Sequence, residues 1–266
     1  MPDPFQNVDA AGPEFIKLFA DSMDVRQSDA TMEKIVADYL GRLDLPAQSL
    51  IVEIGAGAGA VTRRIAARAM PARVVGYEPS EGFVAEARRR GADHANLSFE
   101  VADGSDLPDA DASVDVAIMH TVLTHVTAPD TLIAEAVRVL KPGGTLVVCD
   151  ADFSKATLST CPNDPLDACA RAFVQEFVTD PFLVGKLRSL IDDAGLDLFH
   201  FHVQSRVVTD AVQMLPWVDM TTQNMVKRGE IGAELADALK AEYHRRAEAG
   251  TLYGYQAFAT AIATKR

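Results

Sequence analysis

Three acids and a run of glycines are the residues of this chain best able to do chemistry. Ile51-Val-Glu-Ile-Gly-Ala-Gly-Ala-Gly-Ala60 puts Gly55, Gly57 and Gly59 where an apolar run gives way to helical periodicity. Glycine at such a junction lets backbone approach a ligand with no Cβ in the way. Glu53 stands two residues before the first glycine, Glu78 ends the next apolar run, and Asp103 follows the third in Val-Ala-Asp-Gly. Glu78 lies near the ~20-residue interval at which a ribose-binding acid follows a glycine turn. Gly55, Gly57 and Ala60 also satisfy the GxGxxA dinucleotide pattern, so the glycines alone leave a nicotinamide-dependent oxidoreductase open.

These residues need a scaffold that gathers strand ends. Short apolar runs predict strands over 50–54, 73–77, 97–101, 114–119 and 145–149, with helices over 30–40, 61–70, 81–90 and 131–140 between or before them. That alternation predicts an α/β fold, a doubly wound and mostly parallel sheet covered by helices on both faces. Beyond residue 150 the rhythm changes to helices over 166–177, 182–194, 211–227 and 231–248, with strands over 197–208 and 252–264. Residues 1–28 read as a loose arm with a short amphipathic segment over 15–20. One domain spans 1–266: an N-terminal arm or lid (1–45), a cofactor-binding core (46–150), helical insertions (151–181 and 209–250) and a last strand (251–266).

Parallel strands deliver their C-terminal ends to one edge, so Glu53, Glu78 and Asp103 face one groove. Such a groove repels a pyrophosphate at a few ångströms. It suits a ligand carrying an ammonium, a sulfonium and a neutral ribose, and S-adenosylmethionine has all three.

At this point the chain resembles the class I S-adenosylmethionine-dependent methyltransferases, particularly the small-molecule group that includes the ubiquinone-biosynthesis type. The matching pieces are Glu53-Ile-Gly-Ala-Gly-Ala-Gly59, Glu78, Ala102-Asp103-Gly104, Asp115-Val-Ala-Ile-Met-His120, Leu123-Thr-His125-Val126 and Arg138-Val-Leu-Lys-Pro-Gly-Gly-Thr-Leu146. They cover about residues 30 to 150. The resemblance implies a Rossmann-like methyltransferase fold, seven strands with the last antiparallel, and S-adenosyl-L-methionine as cofactor. It implies that Gly55, Ala56, Gly57 and Gly59 line the methionine moiety and that Glu53 supports its amino end. Glu78, with Pro79 beside it, would bind the ribose hydroxyls, and Asp103 with the Gly104 backbone would read the adenine. His120 would offer its carbonyl to the amino group. A fold of this kind diverted to non-methylating chemistry is the alternative that keeps the cofactor.

In-line placement of nucleophile and methyl supplies ~7–11 kcal/mol, so an obvious base is not required. His120 and His125, after the fourth strand, are the catalytic candidates. Phe153, Phe177, Trp217 and Tyr253 are the candidate acceptor contacts, which predicts a small apolar or aromatic acceptor. Asp150 and Asp152 lack a clear third ligand, so no metal is expected. Arg26 reads as a solvated arginine, the alternative from the resemblance being that the upstream arm brings it to the cofactor carboxylate.

The balance of 25 basic against 38 acidic residues, −13 overall, argues against a nucleic-acid partner. Three cysteines with no CxxC argue against a disulfide framework or zinc knuckle. With no basic, apolar leader and no apolar run of ~18 residues, the chain reads as a cytoplasmic protein off the membrane, monomer or homodimer.

Overall fold

Short, mostly apolar runs become the strands that carry no solvent face. These are β1 (Leu50–Ile54), β2 (Arg73–Glu78) and β4 (Val114–His120), whose Val52, Val75 and Ala117 are fully buried. β3 (Leu97–Val101), β5 (Leu140–Thr157), β6 (Leu196–Val208) and β7 (Gly254–Lys265) complete one sheet. The strand order in this computed structural model, which describes residues 3–266, is β3-β2-β1-β4-β5-β7-β6. β1 to β5 run parallel, and β7 runs antiparallel to both β5 and β6. The order reverses between β1 and β4, which opens the ligand crevice of a doubly wound sheet at the carboxyl ends of those two strands.

Helices cover both faces. α3 (Ala30–Leu40), α4 (Thr62–Ala69), α5 (Glu81–Arg90) and α6 (Pro129–Val139) belong to the parallel half. α7 (Pro165–Phe177) and α8 (Leu183–Asp193) follow β5, and α9 (Leu215–Lys227) and α10 (Ala233–Glu248) join β6 to β7. Two cores result, one on each face. One joins Met32, Ile65 and Val74 to Phe173 and Trp217, and the other joins Val52 and Val75 to Ile133 and Leu187. Among the described residues no helix is long and apolar enough to cross a membrane.

Two expectations change. Residues 4–27 are not a loose arm: a 3-10 turn at Pro4–Asn7, α1 (Val8–Ala11) and α2 (Pro13–Gln27) follow one another. Only Phe19, Ala20 and Gln27 of α2 are buried. Its anchorage is ionic and remote in sequence: Asp21 and Asp24 pair with Arg90, and Asp24 also with Arg63. An apolar-stripe reading has little to detect there. The second change concerns Lys141-Pro-Gly-Gly144, which loops out inside β5. Val114 pairs with Leu140 and Val116 with Thr145, so the residues between are extruded from the ladder. β5 also runs on to Thr157, into the segment expected as helical insertion.

One buried ion pair fixes the insertions against each other. Asp164, the N-cap of α7, accepts from Arg246 of α10 at 2.7 and 3.0 Å, and also from Thr160. These donors hold its carboxyl well below the usual range despite burial. We expect Asp164→Ala to lower stability by about 1–3 kcal/mol, because the buried Arg246 fork loses its Asp164 acceptors and keeps only Glu242. The wild-type contribution is complete above the ordinary aspartate pKa and fades as pH falls below it, a trend urea denaturation at pH 7 and at pH 3 measures.

Candidate functional site

The turn after β1 is fastened to β2. Gly55 and Ala56 donate their N–H groups to the Tyr77 carbonyl at 2.8 and 2.9 Å. Gly57 then donates to Glu78 Oε2 at 2.9 Å, while Ser80 N–H donates to Oε1 at 3.0 Å. Gly55 has φ +73°, and a Cβ there would meet Val122 Cγ2 at 2.7 Å. The glycine is thus required both by its backbone conformation and by the closeness of the loop after β4.

In front of this turn lies a cavity of about 410 Å³. Gly55, Gly57, Glu78, Pro79, Asp103 and Gly104 all line it, so most of the predicted cofactor residues converge there. Burial, with Asp9 adding repulsion, pushes the Glu78 carboxyl up to about 7. Asp103 is exposed at the rim, and its Oδ1 accepts from Ser105 N–H and Oγ at 2.9 and 2.8 Å. Ile54, Phe83, Val122 and Leu132 add apolar walls. The arm forms the roof, where Phe5, Gln6 and Val8 face the cavity.

Four predicted cofactor residues stand back from the lining. Gly59 and Ala56 serve packing: a Cβ on Gly59 would sit 2.5 Å from the Phe99 ring, and Ala56 clusters with Phe99 and Val84. Glu53 is 2% exposed, and its Oε2 is buried with no hydrogen-bond partner. Burial, with Glu78 adding repulsion, pushes its carboxyl up to about 8. The His120 ring is enclosed, with Nε2 3.2 Å from Gln27 Nε2 and Nδ1 3.3 Å from the Tyr39 hydroxyl. Burial, together with Arg26 and Arg64, brings its pKa down to about 3. A ring so placed is no proton acceptor for a ligand in the cavity, which corrects its assignment as a catalytic candidate.

A second cavity, about 110 Å³, adjoins the first, and Phe5, Met23, Thr121 and His125 line both. Its walls include Phe153, Phe173 and Trp217; Phe173 and Trp217 stack at 4.4 Å and 7°. Two predicted acceptor contacts fall elsewhere. Phe177 lies beneath Phe173 in the core, 4.8 Å away, and Tyr253 is exposed beside Tyr255. The chain turns into β7 only at Gly254, so Tyr253 is left outside.

His125 sits in a 3-10 turn, Leu123–His125, clamped by Asp150. The Asp150 oxygens accept from Leu123 N–H (2.9 Å), Thr124 N–H (3.3 Å) and Oγ1 (2.9 Å), and Ala151 N–H (2.8 Å). Burial still raises the Asp150 pKa. The His125 Nδ1 meets Asp3 Oδ2 at 2.9 Å, which makes Nδ1 the protonated nitrogen and Nε2 the basic one. Asp152 is turned to Ser154, accepting from its N–H and hydroxyl.

Sequence reading missed one guanidinium group, Arg206, and favoured a solvated position for a second, Arg26. Arg26 is not solvated: it lines the second cavity and donates from Nη2 to Thr121 Oγ1 at 3.0 Å. Arg206 lines the same cavity and is 2% exposed. The alternation of β6 carried its signal, because Arg206 and Val208 share the inward phase while Ser205 and Val207 do not.

A family model described as a methyltransferase domain matches residues 52–148. The chain is 37% identical over 182 residues to a demethylmenaquinone methyltransferase of Tropheryma whipplei, covering 63% of this chain and 73% of that protein. It is 30% identical over 207 residues to an uncharacterized 37.1 kDa protein in transposon TN4556 of Streptomyces fradiae, 70% of this chain but only 59% of that longer relative. Among solved structures, the geranyl diphosphate C-methyltransferase of Streptomyces coelicolor superposes with a TM-score of 0.54 at 16% identity, over 88% of this chain and 80% of that one, a likeness of fold. The chain belongs to the class I S-adenosylmethionine-dependent methyltransferases. Within that class it falls in the small-molecule group.

We expect Gly55→Ala to lose about 1–2 kcal/mol from its left-handed backbone alone, with the Val122 clash added. A thermal melt of the variant falling well below that of the wild type checks this.

Proposed function

We propose that this protein transfers a methyl group from S-adenosyl-L-methionine to a small acceptor held in the second cavity. One observation carries the reading: the cavity of glycines and carboxyls shares Phe5, Met23, Thr121 and His125 as walls with the aromatic one. The donor's fit is supported by the unpartnered Glu53 Oε2, by the Gly57 N–H and Glu78 pair, and by the closeness of Val122 to Gly55. When bound, the donor supplies an electrophilic methyl on a positively charged sulfur.

The chain's own residues then have distinct tasks. Gly55 and Gly57 bring backbone against the methionine moiety, while Glu53 and the His120 carbonyl receive its ammonium. Glu78 accepts from both ribose hydroxyls, with Pro79 beside it. Asp103 and the Gly104 N–H read the adenine, which Ile54, Val122 and Leu132 flank. Phe5, Gln6 and Val8 of the arm exclude water, and so strengthen every charge interaction beneath them. His125, common to both cavities, takes the acceptor's proton on Nε2 while Asp3 holds Nδ1. Phe153 and Trp217 form the acceptor wall. The acidic rim disfavours a pyridine nucleotide, whose pyrophosphate it repels.

Calorimetry with S-adenosylhomocysteine and with NADH tests the reading. The adenosyl compound is expected to bind and NADH not to; tight NADH binding alone would overturn it. Asp103→Ala should weaken adenosyl binding by about ten- to a hundredfold, the worth of a charge-assisted hydrogen bond. Because Glu53 must be ionised to receive the ammonium and Glu78 to accept from two hydroxyls, affinity should rise with pH up to about 8. Below that value it should fall by up to about tenfold per unit for each carboxyl that is protonated.

For an acceptor that must lose a proton, His125→Gln should lower kcat by about 10²–10⁴-fold, with little change in adenosylhomocysteine affinity. Methyl transfer from labelled donor, read over pH, measures it; unchanged kcat would remove His125 from proton transfer.

A further inference from the structure

The second cavity is walled by aromatic rings, yet two guanidinium groups border it, and among the described residues only Asp29, paired with Arg206, neutralises either. We propose that this cavity recognises a carboxylate on the acceptor, held between Arg26 and Arg206, with the acceptor's planar body against Trp217. This rests on the methyltransferase reading and names the acceptor class for it.

Arg206 is buried to 2% exposure on the inward phase of β6. Its Nη2 donates to Gln213 Oε1, but its Nε is buried without a hydrogen bond, 3.4 Å from Asp29 Oδ1. Asp29 Oδ1 is already committed as the N-cap of α3, accepting from Thr31 and Met32 N–H at 3.0 and 3.1 Å. Arg26 has one side-chain hydrogen bond, to Thr121 Oγ1, and its Nε is likewise buried and unpartnered. Among the described residues no ion pair involves Arg26. Asp150 attracts it from a distance but spends its oxygens on four nearer donors.

Burial and the neighbouring Arg206 bring the Arg26 pKa down to about 10, as expected for a cation short of anions. Uncompensated buried charge is costly, and a cavity that keeps Arg26 unpaired beside Arg206, whose pairing with Asp29 leaves its Nε without a hydrogen bond, is arranged for an anion from outside. Guanidinium forks match the two coplanar oxygens of a carboxylate. Phe153, Phe173 and Trp217 offer flat faces beside them, with Phe153 and Trp217 stacked at 28°. A conjugated acid places its carboxylate and its ring in one plane, which satisfies both walls together. Thr121, which Arg26 holds, lines both cavities and puts this anchor next to the donor site.

Trp217 is the chain's single tryptophan, so its emission reports occupancy of this cavity directly. The full chain, with and without S-adenosylhomocysteine, would be titrated with benzoate, benzamide and phenyl phosphate. Benzoate should give a saturable change at least tenfold tighter than benzamide, and tighter than phenyl phosphate. Arg26→Met should abolish the preference for acid over amide. Arg206→Met should do the same, and Arg206→Lys, which keeps the charge without the fork, should retain only part of it should the methionine variant fail to fold.

No saturable response to benzoate, equal binding of acid and amide, a preference for phenyl phosphate, or a preference surviving both Arg26→Met and Arg206→Lys at full strength would each overturn the proposal. Adenosylhomocysteine binding without acid selectivity sinks the acceptor class alone. Acid selectivity without adenosylhomocysteine binding sinks the methyltransferase reading instead.

Discussion

Two carboxyl groups, Glu53 and Glu78, are buried at the carboxyl edge of the sheet, and among the described residues no ion pair neutralises either. Everything else about the site follows from that unmet charge. Parallel strands have to end together, so the acids come to one edge whatever the cost of crowding them. Water is excluded by the helices and the arm, which keeps both groups partly protonated in the empty protein. A ligand presenting an ammonium and hydroxyl donors relieves the strain that a phosphate would worsen.

The opposite imbalance stands next door. Where the first cavity gathers unneutralised acids, the second gathers two guanidiniums of which, among the described residues, only Arg206 has an ion-pair partner, Asp29, and the residues shared between the cavities are mostly apolar or neutral. The molecule therefore keeps a polarised pair of chambers: one suited to a cationic donor, the other to an anionic partner. Asp150 is what holds the boundary in place, since three of its accepted hydrogen bonds fix the turn that carries His125 and the fourth comes from Ala151 on its own strand. Its burial is architectural in the fold.

Elements with strong apolar periodicity were legible from sequence alone. The strands at Leu50–Ile54 and Leu97–Val101 and the helices at Ala30–Leu40 and Glu81–Arg90 have the bounds that their patterns predict. The glycine turn, Glu78, Asp103 and Gly104 were legible too, because their chemistry is local: a residue type at a fixed offset from a strand end. What escaped was non-local. α2 is tied down by Arg63 and Arg90, far along the chain, so its own sequence shows little of an amphipathic stripe. His120 has the position of a catalytic group, but Tyr39 and Gln27, from other helices, enclose it. Arg26 looked like an ordinary surface cation because its surroundings come from β6 and the loop after β4.

The arm that roofs the donor cavity is tied at two separated points. Asp9 accepts from Ser80, Glu81 and Gly82 at the start of α5, and Asp3 meets His125 and Thr179. Lifting this roof means parting the hydrogen bonds of both aspartates, since a tie at either end limits how far the short helix between them can swing.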